Sequence, residues 1–86
     1  MAQQPPNRFP VNDEIDVIDG ATVYKSGSWW KAIVLSEGFG ETEVNVYVWL
    51  KQDDGWKRKQ KYSIKSRDEW EADRDLVDEF VEQLPN

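Results

Sequence analysis

The chain contains no cysteine and no histidine. Without thiols there is no disulfide framework, no thiolate metal site and no cysteine nucleophile. Without imidazoles there is no histidine general base, no His-containing zinc site and no Ser-His-Asp arrangement. Apolar runs are short as well, and none approaches the roughly 18 residues of a membrane span. The opening MAQQPPNRFP lacks the apolar stretch of a secretory signal. A soluble, cytoplasmic protein without membrane partners is therefore expected.

What remains is small and rich in indoles. At 86 residues, the chain fits one domain that buries only about 60% of its unfolded surface. Five tryptophans and an aromatic content of 13% are too many for a purely solvating acidic tail. The net charge of −6 hides a segregation. Residues 1–20 sum to −3, residues 21–67 to +4, and residues 68–86 to −7. A basic middle between acidic ends points to a polyanion surface on one part of the molecule, or to ends that neutralise the middle in the fold.

Along the chain, residues 1–12 read as a flexible arm, because Pro5, Pro6 and Pro10 cannot donate to a ladder. Residues 13–84 form the domain and residues 85–86 a tail. Residues 14–25 suggest a short strand or bent pair broken at Gly20, followed by a turn at 26–28. SWWKAIVLS at 28–36 has strand composition. EGFGE at 37–41 reads as a hairpin loop, since it lacks the third glycine and the following helix of a dinucleotide site. TEVNVYVWLK at 42–51 alternates cleanly: Val44, Val46, Val48 and Leu50 on one face, and Asn45, Tyr47, Trp49 and Lys51 on the other. QDDG at 52–55 is a turn. In WKRKQKYSIK at 56–65, strict alternation puts Lys57, Lys59, Lys61 and Lys65 on one face and Trp56, Arg58, Gln60, Tyr62 and Ile64 on the other. Four like charges on one face, the first three roughly 7 Å apart and Ser63 before the last, repel one another unless acids, solvent or a bound polyanion offset them.

Ser66-Arg67-Asp68-Glu69 matches a capping box, and the two acids suit the positive end of a helix dipole. Trp70, Leu76, Val77, Phe80, Val81 and Leu84 then fall on one helical stripe, ended by Pro85. The expected fold is α+β: a four-stranded antiparallel sheet followed by a C-terminal helix packed on one face. The valine face of 44–50 is the natural seat for the stripe.

Catalysis finds little support. Asp53 and Asp54 are explained by their turn, and Ser26, Ser28 and Ser63 have no histidine base. The helix acids read as a solvated face, because no loop offers alternating oxygen ligands. No enzyme, cofactor or metal is expected. Single-stranded nucleic acid, in contrast, is held by basic grooves with aromatic stacking platforms. The candidates are Lys31, Tyr47, Trp49, Lys51, Lys57, Arg58, Lys59 and Lys61, with Trp29, Trp30 and Trp56 nearby. The same aromatics would equally suit a dimer or partner surface.

YVWLKQDDGWKRKQKYSIKSRDEWEADRDLVDEFV resembles the C-terminal domain of the transcriptional coactivator positive cofactor four and its short bacterial and archaeal relatives. The pieces that carry the resemblance are Tyr47 to Trp49, Asp53-Asp54-Gly55, Lys57 to Lys61, Tyr62-Ser63-Ile64 and Ser66 to Trp70. Gly27 to Leu35 and Glu43 to Trp49 resemble two antiparallel strands of the bacterial forms, so about residues 21–84 are covered. The resemblance implies a homodimer that binds single-stranded or unpaired DNA with little sequence preference. It places Trp49 at the family's strand-end aromatic, Lys57 and Lys59 in its basic strand, and Lys31 on a strand with basic contacts. Lys61 stands where the family usually has glycine, and the acidic helix must face away from any DNA.

Overall fold

The structure is a computed structural model that describes residues 9–12 and 14–85. Four strands, β1 (Asp16–Lys25), β2 (Trp29–Gly38), β3 (Glu41–Gln52) and β4 (Gly55–Ile64), precede one helix, α1 (Arg67–Val81). The strands form an antiparallel sheet in chain order. This is the expected α+β architecture.

The turns follow from their residues. Ser26 accepts the N–H groups of Ser28 and Trp29 on its hydroxyl (3.2 and 3.0 Å), which closes β1 onto β2. Phe39 and Gly40 both take positive φ, 55° and 82°, as a two-residue hairpin loop of the primed kind requires. Gly55, at φ 132°, occupies backbone space that a side chain rarely adopts. Ser66 caps α1 by accepting from the Glu69 N–H (3.1 Å), as the capping box predicts.

Alternation divides the sheet into two faces, and the core lies on the one not expected. Trp30, Ala32, Val34, Tyr47 and Trp49 are buried together with Phe9. Their rings interlock: Tyr47 and Trp49 stack at 5.1 Å, and Trp30 packs against Trp49 at 5.0 Å. Phe9 stacks above Trp49 at 6.3 Å. Gly20 makes room for that ring, because a Cβ there would lie 2.9 Å from Phe9 Cε2. The end of the expected flexible arm is thus part of the core, while its first eight residues lie outside those described. Each aromatic pair adds about 0.5–1.5 kcal/mol beyond the area it buries.

The same face holds a buried polar rung. Ser63 Oγ donates to Asn45 Oδ1 (2.6 Å), and Asn45 Nδ2 donates to Ser36 Oγ (3.3 Å). Asn45 is buried and so needs both partners.

The helix differs from expectation in its packing. None of its residues is buried, and its backbone comes close to β4 alone among the strands. Tyr62 donates to the Asp73 carboxylate and pins the second turn of α1 to that strand. Leu76, Val77, Phe80, Val81 and Leu84 remain about half exposed. The stripe therefore does not cover Val44, Val46, Val48 and Leu50, which are only half-buried.

Candidate nucleic-acid interface

The face that carries the aliphatic side chains of β3 is open, and its rows run across the strands. One row joins Tyr24, Lys31, Val48 and Gln60. The next joins Ala21, Ile33, Val46 and Tyr62, and a third joins Leu35, Val44 and Ile64. Trp29, Leu50 and Lys57 lie above the first row.

Register irregularities decide who joins this face. In β1 a shift between Thr22 and Tyr24 brings Tyr24 opposite Lys31. In β4 a bulge opposite Val48 and Trp49 leaves Lys59 unpaired, between Arg58, which faces Trp49, and Gln60, which faces Val48. One extra residue switches the alternation beyond it. Lys57 therefore lies on the open face, while Lys61 pairs with Tyr47 on the closed one. The expected single row of lysines is broken by this bulge, and the repulsion it implied is relieved.

The open face has an apolar end and a basic, aromatic end. Near the start of α1, a hollow of ≈ 470 Å³ is lined by Ile33, Leu35, Val44, Val46, Ile64 and Trp70, with Lys65 and Arg67 at its rim. Toward the opposite end, Lys31, Lys59, Lys61, Gln60 and Tyr62 border a hollow of ≈ 480 Å³, and Tyr24, Trp29, Lys31 and Lys59 border another of ≈ 420 Å³. Trp29, Tyr24 and Tyr62 are 40%, 49% and 45% exposed. These rings offer stacking surface next to ammonium groups, the combination single strands require.

The expected site residues thus separate into three groups. Lys31, Lys57 and Lys59 belong to the open face. Lys51, Arg58 and Lys61 edge the closed face, where Lys51 sits 5.2 Å from the Trp56 ring and Lys61 5.9 Å from the Tyr47 ring; Lys61, on the edge strand, also borders an open-face hollow. Lys25 stands 3.9 Å over Trp30 on the same side. Tyr47 and Trp49 are 2% and 1% exposed. They therefore have no ring face free for a base, and the stacking role expected of them does not fit this arrangement. Burial pushes the Tyr47 phenol above its ordinary pKa, with Glu43 adding to the shift and Arg58 opposing it.

Tyr24 and Tyr62 are the residues that sequence reasoning missed. Strict alternation assigned Tyr62 to the face opposite the lysines, and only the bulge returns it beside Lys59. Acids collect at the other pole: Glu41 and Glu43 reach Lys65 at 3.7 Å each, and α1 carries Asp68 and Glu69 in its first turn with no basic residue in its last.

Among the described residues, no cluster of three acidic side chains could hold a metal ion. No helix among the described residues is long and apolar enough to cross a membrane. No protein-family model, curated protein or solved structure matches the chain.

Proposed function

We propose that this chain is a non-catalytic, sequence-tolerant single-stranded-DNA-binding protein of the cytoplasm. It would act as a homodimer in transcription or DNA maintenance. The observation that carries the reading is the basic half of the open face, where exposed Tyr24, Trp29 and Tyr62 alternate with Lys31, Lys57 and Lys59. Bases stack on the rings while the ammonium groups follow the phosphates. The acidic helix back points the strand away from the opposite pole. The resemblance to the positive cofactor four domain supports the same reading through its basic strand and its antiparallel sheet. It does so without the Trp49 contact that the resemblance implied.

A titration of tryptophan fluorescence with a thymidine oligonucleotide tests it. Trp29 is the exposed indole on the proposed path, so quenching is expected at low salt. If Lys31, Lys57 and Lys59 release counterions, affinity falls roughly 20-fold when salt rises fourfold. Trp29→Ala removes one stacking platform and weakens binding by about 1–3 kcal/mol. Absence of quenching at low salt overturns the proposal.

A second reading is a protein–protein interaction module, favoured by the apolar hollow beside Trp70 and the uncovered stripe of α1. A tight protein complex in light scattering, with no response to oligonucleotide, would select it.

A further inference from the structure

We infer that the hollow on the open face is the seat for the α1 stripe of a second copy of this chain. The inference rests on the dimeric reading above and names its surface. Each chain carries two apolar surfaces that it does not itself complete. One is the hollow, floored by Ile33, Val44 and Val46 and walled on one side by Trp70. The other is the stripe of Val77, Phe80, Val81 and Leu84, which is 50–59% exposed.

The chain cannot close one with the other. Only Lys65 and Ser66 separate β4 from α1, and the Tyr62–Asp73 hydrogen bond fixes the helix along β4. The far half of the stripe is thereby carried past its own hollow. A two-fold axis resolves both deficits at once, because an isologous interface places each stripe in the other chain's hollow. The area suffices: half-exposed Leu76, Val77, Phe80, Val81 and Leu84 present on the order of 500 Å² of mostly apolar surface. With the hollow's own side chains this approaches the roughly 800 Å² per partner of a stable interface. Charge agrees as well. At the rim of the hollow Lys65 already pairs with Glu41 and Glu43, so the complement to Asp78 and Glu79, which flank the stripe, is Arg67.

The pairing leaves the basic half of the open face free. One face thus does two jobs, with Ile33 and Val46 marking the boundary beyond which Lys31, Tyr24 and Trp29 begin.

The test is a charge-swap mixing experiment read by light scattering at about 100 µM protein. Wild type is expected at twice the chain mass. Phe80→Asp and Ile33→Lys each replace an exposed side chain, so both variants should keep the far-ultraviolet dichroism of the wild type. Each alone is expected to self-associate roughly a hundredfold more weakly. Mixed one to one, they should recover a heterodimer, since one stripe–hollow contact is then native and the other pairs the introduced carboxylate with the introduced ammonium group. A monomeric wild type overturns the inference. So does a failure of the mixture to recover, which would mean that stripe meets stripe or hollow meets hollow. An oligonucleotide titration of the same samples separates the two proposals. Binding by a monomeric wild type sinks the interface and spares the function; a recovered heterodimer with no oligonucleotide response does the reverse.

Discussion

The two faces of the sheet are built from similar amounts of apolar material and meet opposite fates. The closed face carries Trp30, Tyr47 and Trp49, and these are almost wholly removed from solvent. The open face carries Ile33, Val44, Val46 and Val48, with Trp29 and Tyr24 beside them, and these stay half-buried or exposed. The difference is in who covers them. On the closed side, large rings tile one another, and Phe9 returns from the N-terminal segment to seal the stack over Gly20. On the open side, branched aliphatics leave shallow hollows, and of the apolar residues of α1 only Trp70 lines them. An alternating strand specifies two surfaces; the rest of the chain decides which is the core.

The sharpest way to break this comparison is the same substitution on each face. Trp49→Ala should destabilise the protein by about 3–5 kcal/mol, because the ring is enclosed by Tyr47, Trp30 and Phe9. Trp29→Ala, at a 40% exposed position, should cost well under half of that in stability and show its effect in oligonucleotide affinity instead. Urea unfolding of the two variants side by side measures the contrast. Equal losses would mean that the open face is sealed in solution.

Much of this was legible in the letters. The alternation of residues 42–51 gives β3 directly, the capping box gives the start of α1, and Gly55 and Phe39-Gly40 lie in the expected turns. The choice of core face was not legible. A helix stripe and a valine strand face are natural partners by pattern alone, and nothing in the pattern reveals that two linking residues aim the helix past its seat. Phe9 was hidden among prolines that read as a flexible arm. The site suffered from a smaller signal still: one unpaired residue at Lys59 redistributes Lys57, Arg58, Lys61 and Tyr62 between faces. A bulge changes the period for a single residue, which no composition or periodicity argument detects.

A middle-sized effect belongs to the polar rung of the closed face. Asn45→Ala leaves the Ser36 and Ser63 hydroxyls facing each other across a void. They lose the two bonds of 3.3 and 2.6 Å that now satisfy them. A loss of about 1–3 kcal/mol is expected by urea unfolding. The equivalent change on the open face, Gln60→Ala, removes an exposed side chain that makes no comparable network, and should fall within about 0.5 kcal/mol of wild type. If both cost the same, the rung is hydrated rather than buried.

The smallest effect is electrostatic and again belongs to the closed face. Burial raises the Tyr47 pKa in the folded chain, and Glu43 adds to it, while Arg58 pulls the other way. The folded state therefore holds the neutral phenol after the unfolded chain, titrating near pH 10, has begun to lose its proton. Below that pH both states bind the proton, and Tyr47 adds no pH dependence. As pH climbs through the unfolded and then the folded pKa, the unfolded state binds fewer protons, and unfolding free energy declines. Tyr47→Phe has no proton to lose there. Its stability curve should consequently be flatter than that of the wild type above pH 10 and parallel to it below. Urea midpoints measured across that range for both proteins provide the check. Parallel curves throughout would place the Tyr47 hydroxyl in water, and with it the edge of the closed face beside Lys61.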